Sequence, residues 1–218
     1  MTKKIFAKPI PKGDDNTKAE WLIQLKKGNK IMRIFRDEIG TDPREWDNLG
    51  NMVCLHKRYH LGDATDLKID DFSGWSDMRD FIVREGAVVI LPIYMYDHSG
   101  ITISTTPFHC PWDSGQIGFI YATKDNIIKE KGKIKITMKV KEEVKKILLN
   151  EIDIYDKYLT GEVYSFFIVE TKKCKCCGNI SEENIDSCGG FFGTNFNNNG
   201  MFEHAGKEWR KIFNEVQK

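Results

Sequence analysis

The run AVVILPIYMY, residues 87–96, constrains this chain more than any other stretch. It carries no charge and is far too short to span a bilayer, so it has to be buried as a strand. It runs into DHSG, a turn sequence, and the alternating ITISTTPF that follows can pair back on it. QIGFIYAT supplies a further strand, and Asp125 opens a short helix after it. Earlier in the chain AEWLIQL and KIMRIFR flank KKGN, which predicts a hairpin. Val140, Val144, Ile147, Leu148, Ile152, Tyr155 and Leu159 share one helical face, so residues 140–159 form a helix.

Other elements are read from their end signals. The stretch from Thr41 to Asp63 has a cap, an early proline and a late glycine, which predicts a helix broken near Gly50. SDMRDFIVREG predicts a short helix with Ser76 as cap and Gly86 as stop. VYSFFIVET and SCGGFFG read as two strands joined by a cysteine-bearing turn, and Glu203 to Val216 as a terminal helix. Residues 1–16 read as a flexible arm and 17–218 as a single α+β domain, a mainly antiparallel mixed sheet with packed helices. At 218 residues and 40% hydrophobic the chain can bury one sizeable core, or one core with a small appendage.

Charge excludes some functions. Lys+Arg is 33 and Asp+Glu 32, so no overall field draws the chain onto nucleic acid or an anionic membrane. Mimicry of a phosphate backbone lacks its acidic surface for the same reason. No secretory signal is evident near the N-terminus, which predicts a cytoplasmic protein. Its six cysteines are then thiols or metal ligands rather than disulfides.

Polar clusters at element ends are the candidate ligand-binding residues. They are Asp97, His98 and Ser99; Trp112, Asp113, Ser114 and Gln116; Tyr155, Asp156, Tyr158 and Thr160. A fourth joins Asp47 and Asn48 to His56, His60 and Asp63. Strand ends suit binding because the scaffold is rigid while the loop faces solvent. Trp112 or Tyr158 could stack on a base, and Asp and Gln offer acceptors and donors. Each cluster taken singly also fits ordinary turn chemistry. Together they predict one pocket holding Asp97, His98, Asp113, Ser114, Gln116 and Tyr158.

Catalytic and metal chemistry have weaker patterns. Cys110 is a candidate nucleophile, but His109 beside it points to the opposite face of an extended segment, so His56 or His98 would have to be its base. CKCCG contains C-x-x-C followed by glycine, half of a zinc knuckle that Cys174, Cys177, Cys188 and His204 could complete. A hairpin tip with free thiols is the alternative, so zinc is possible and no other cofactor is expected. His56 and His60 stand at i, i+4 without the glutamate of a metalloprotease helix. No glycine-rich phosphate loop, nucleophile elbow or deaminase signature occurs.

The segments DPREWDNLGNMVCLHKRYHLGD, LPIYMYDHSGITIS, CPWDSGQIGFIY, YDKYLTGEVYSFFI and DSCGGFFG resemble a family of uncharacterised proteins encoded by bacteriophages and mobile elements of Gram-positive bacteria. The shared motifs run from about Asp42 to Gly193. The chain departs from the family pattern in having Gly189 where an aromatic commonly follows the cysteine, and in a shorter stretch between Asp63 and Ala87. The resemblance carries no established activity. It implies an accessory protein in the cytoplasm of a bacterial host, antagonising host defence by binding a nucleotide-like ligand or a host defence protein. A hydrolase of a nucleotide or peptide bond, using Asp97, His98, Asp113 or Cys110, is the alternative expectation.

Overall fold

The computed structural model describes residues 21–38, 40–132 and 135–217. The proposed arm, 1–16, lies outside them. The fold is α+β, with two four-stranded antiparallel sheets. The residues gather into two compact units: 41–160 form one, and the segments on either side of that insertion form the other. Each has its own core.

The flanking segments build the first unit. Strands β1 (Ile23–Lys27) and β2 (Lys30–Arg36) form the expected hairpin, in which Gly28 takes φ 60° at the first turn position. A side chain there would be strained, which is why the turn uses glycine. The sheet continues through two long strands that order it β1-β2-β7-β8, where β7 is Val163–Lys173 and β8 is Ile180–Phe192. Two helices follow them in the chain, Met201–Ala205 and Lys207–Val216. They replace the single terminal helix read from the sequence, because Gly206 at φ 108° breaks it. Met32, Ile34, Phe166 and Ile168 from the sheet meet Phe202, Trp209 and Phe213 from the helices.

The inserted unit orders its sheet β3-β6-β4-β5. Here β3 is Asn51–Cys54, β4 Ala87–Asp97, β5 Ile101–Ser104 and β6 Ser114–Thr123. Three helices accompany it: α1 (Trp75–Arg84), α2 (Lys124–Lys131) and α3 (Met138–Leu159). Helix α3 packs Val144, Leu148, Ile152 and Tyr155 against Met52, Ile93 and Ile120. Helix α1 packs Met78 and Ile82 against Val53 and Phe119. Val53 and Phe119 belong to the second cluster and Met52 and Ile120 to the first, so both faces of the sheet are covered. A sheet buried on both faces needs strands that are apolar without alternation, as residues 87–96 are.

Two readings of this region are corrected. The stretch after Thr41 is no helix: a 3-10 turn, Pro43–Glu45, leads into β3, which pairs with β6 through Asn51↔Tyr121 and Cys54↔Gly118. An apolar run as short as MVCL cannot be told from a helical segment by period alone, and strand pairing decided it. Ser76 is not the cap of α1, which starts one residue earlier, after Gly74.

Candidate functional site

Sheet order brings the motif loops together. In β4 and β6 Tyr96 stands opposite Ser114, so the end of one strand meets the start of the other. The backbone N–H of Asp97 donates to the carbonyl of Asp113 at 2.8 Å. The Asp113 carboxylate lies 3.3 Å from Nδ1 of His98 and accepts from the Cys110 thiol at 3.6 Å. The Ser114 hydroxyl donates to the Cys110 carbonyl, closing the turn that starts at Pro111. Tyr96 stacks between His98 and Phe108, with ring centroids 5.9 and 5.7 Å away. At the hairpin tip Ser99 adopts φ 60°, the one non-glycine among the described residues with positive φ.

The loop after β3 joins this cluster. Asp97 accepts from the Arg58 guanidinium at 2.5 Å and from the Tyr59 hydroxyl at 3.1 Å. Tyr59 stacks on His56, centroids 5.1 Å apart, and Arg58 lies 5.3 Å from the Tyr59 ring centre. Burial, with Arg58 nearby, lowers the His56 pKa, and its Nδ1 accepts from the Arg58 backbone N–H. Asp97 thus clasps the loop to the strand end.

Behind Tyr59 the same loop forms an open cleft of about 580 Å³. His56, Tyr59 and His60 line it with Lys57 and Lys68, and Asp63 and Thr65 contribute further polar groups. The volume is within the range of small-molecule sites. His56, His60 and Asp63 come from the fourth sequence cluster; Asp47 and Asn48 do not join them. Asp47 is exposed and sits 3.5 Å from Lys129, while the Asn48 amide donates to the carbonyls of Pro43 and Trp46 within its own turn.

Other candidates have local roles. The Gln116 amide donates to the Gly118 carbonyl. The Tyr155 hydroxyl accepts from the Gly62 N–H at 3.0 Å, and the ring stacks on Tyr158. Burial pushes the Tyr155 pKa to about 12. Asp156 accepts from Thr102 and the Ile103 N–H, and Thr160 caps the end of α3. These contacts tie Gln116, Tyr155, Tyr158 and Thr160 to packing and capping, whereas Asp97 and His98 both contact Asp113 and Ser114 bonds the Cys110 carbonyl beside them. Trp112 stands 92% exposed beside that cluster. Arg58, Tyr59, Lys57, Lys68, Tyr96 and Phe108 were not anticipated, since nothing in their spacing marks them.

The cysteines divide differently from the expected zinc set. Cys174, Cys176 and Cys177 converge in the turn between β7 and β8, their sulfurs within 4.8 Å of one another, a group that could hold a metal ion. Cys188 does not belong to it. It pairs with Phe166, while the turn begins beyond Lys173↔Ile180, so eight strand residues, roughly 26 Å, separate it from the tip. His204 packs edge-on against Phe191 instead.

No family model, curated protein or solved structure matches this chain. Its chemistry therefore rests on the geometry above. Among the described residues, no helix is long and apolar enough to cross a membrane.

The thiols differ sharply in environment. A hydrogen bond from the Cys176 thiol, aided by the backbone N–H groups of Cys177 and Cys176, lowers the Cys174 pKa to about 6. Burial, with Asp63 nearby, raises that of Cys54 to about 12. The thiolate is the nucleophile, so alkylation of Cys174 should be fast at pH 7.5 and fall as pH drops through about 6. Cys54 should resist until the protein unfolds. Iodoacetamide labelling with a metal chelator present, read by peptide mass spectrometry, checks both; Cys54 modified as early as Cys174 contradicts the assignment.

Proposed function

We propose that this chain is an accessory protein of a phage or mobile element, acting in the cytoplasm of its bacterial host by sequestering a nucleotide-like ligand in the cleft behind Tyr59. One observation carries the reading: stacked aromatic rings, two lysines and polar groups line a single cleft of about 580 Å³. Lys57 and Lys68 suit a phosphate, the Tyr59 and His60 rings suit a base, and Thr65 suits a ribose hydroxyl. The Asp97 clasp holds Arg58 and Tyr59 in place, which limits the ordering cost on binding. Antagonism of host defence would follow from withholding a signal nucleotide.

The reading needs no cofactor. Zinc, which the C-x-x-C spacing suggests, would find three protein ligands at the hairpin tip rather than the four of a structural site.

A docked host protein is the second reading, favoured by Trp112, since a large aromatic left 92% exposed beside ordered loops suits an anchor. A hydrolase has less support. The Cys110 thiol donates to the Asp113 carboxylate at 3.6 Å rather than to a histidine, and the same carboxylate oxygen lies 3.3 Å from the His98 imidazole.

Calorimetric titration with nucleoside mono-, di- and cyclic phosphates tests the proposal. Lys57→Ala with Lys68→Ala should weaken binding roughly a hundredfold, about 3 kcal/mol, at unchanged melting temperature. Absence of binding by any of these nucleotides at millimolar concentration sinks it. Loss of host-protein capture on Trp112→Ala alone would transfer the function to the second reading.

A further inference from the structure

The three-cysteine turn stands in the unit outside the cleft and has a use of its own. The strands close around it without help: the Cys174 N–H donates to the Asn179 carbonyl at 2.8 Å and the Gly178 N–H to the Cys174 carbonyl at 3.0 Å. Gly178 takes φ 73°, which lets the chain reverse immediately after Cys177. Within this turn the Cys174 and Cys176 sulfurs are 2.8 Å apart, and the Cys177 sulfur completes a compact triangle. Cys176 and Cys177 are exposed and Cys174 half-buried, so an ion can arrive from solvent.

We propose that Cys174, Cys176 and Cys177 bind a soft monovalent cation, Cu(I), through three thiolates. The donor set selects it. Thiolates favour soft metals, and Cu(I) accepts three-coordinate sulfur, whereas structural zinc takes four ligands. Among the described residues no further His, Cys, Asp or Glu joins the group. The hairpin is already paired up to Lys173↔Ile180, so the ion has no folding to do. An exposed site of that kind acquires and hands on metal rather than holding the fold together. Bound through three thiolates, the ion returns one positive charge against three negative ones, leaving a net charge of −2. Lys173 and Lys175 flank Cys174 in sequence and offset that charge.

Anaerobic titration of the reduced full-length chain with Cu(I) in competition with bicinchoninate tests the site. The wild type should withdraw about one equivalent per chain, as should Cys110→Ser/Cys188→Ser. The triple variant Cys174→Ser/Cys176→Ser/Cys177→Ser should withdraw none while keeping its melting temperature. X-ray absorption of the complex should find sulfur neighbours alone, on a monomer. Retention of Cu(I) by the triple variant overturns the assignment, and so does failure of the wild type to compete. A zinc complex tighter than the Cu(I) complex, or one thiol set shared by two chains, overturns the three-coordinate Cu(I) site.

Discussion

Gly118→Ala should abolish the folded state of residues 41–160 at physiological temperature. Gly118 lies in β6 opposite Cys54, and a β-carbon there would sit 1.9 Å from the Val53 carbonyl oxygen and 2.9 Å from Cys54 Cα. Both obstacles are backbone. No side-chain rotation relieves them, so β3 would have to leave β6, taking Met52, Val53 and Cys54 out of the core. A loss of more than about 4 kcal/mol is expected, the range reached only when a core or backbone constraint is broken. Gly115, on the same strand, has open space at the same position. Gly115→Ala should therefore change stability by less than about 1 kcal/mol. Urea unfolding of both variants decides: equal losses would assign the effect to strand glycines in general and remove the clash.

Arg44→Met should cost about 3–5 kcal/mol, because it strands a buried carboxylate. The Arg44 side chain is 4% exposed and that of Glu151 9%. The guanidinium donates to Asp63 at 2.8 and 3.1 Å, to Glu151 at 3.1 Å and to the Gly50 carbonyl at 2.7 Å. Glu151 in turn accepts from the N–H groups of Leu49 and Gly50, and Asp63 from that of Met52. One arginine thus holds the entry to β3, the exit from the following loop and helix α3. Adding Glu151→Gln to Arg44→Met removes the unpaired charge and should recover at least about 1 kcal/mol. No recovery in that double-mutant cycle would show that packing of the arginine stem, not its charge, is what matters.

This network also shows why the region from Thr41 to Asp63 reads as a helix in the sequence and folds otherwise. Arg44, Asp63 and Glu151 are more than a hundred residues apart at the extremes, and each alone looks like a surface charge. The short apolar MVCL run fits a helix or a strand equally well, and only pairing with β6 chooses. The zinc set failed for a related reason. Cys188 is close to Cys177 in number, but residues from Ile180 onward run as an extended strand and carry it away. The site was half legible. Asp97, His98, Asp113 and Ser114 were visible because turn residues at the mouths of apolar runs stand out. Lys57, Arg58, Tyr59 and Lys68 were not, since they lie on an irregular loop that has no period.

What the sequence determined by itself is whatever depends on neighbours a few residues away. The β1–β2 and β4–β5 hairpins follow from turn chemistry and alternation, and α3 from its apolar face at helical spacing. The cysteine turn between β7 and β8 belongs to the same group. Only the tertiary structure decided that β6 lies between β3 and β4, that Asp97 reaches Arg58 and Tyr59, and which buried residues cluster together. Those outcomes depend on which apolar surfaces find each other across the chain, and burial has no direction or address until the strands are paired.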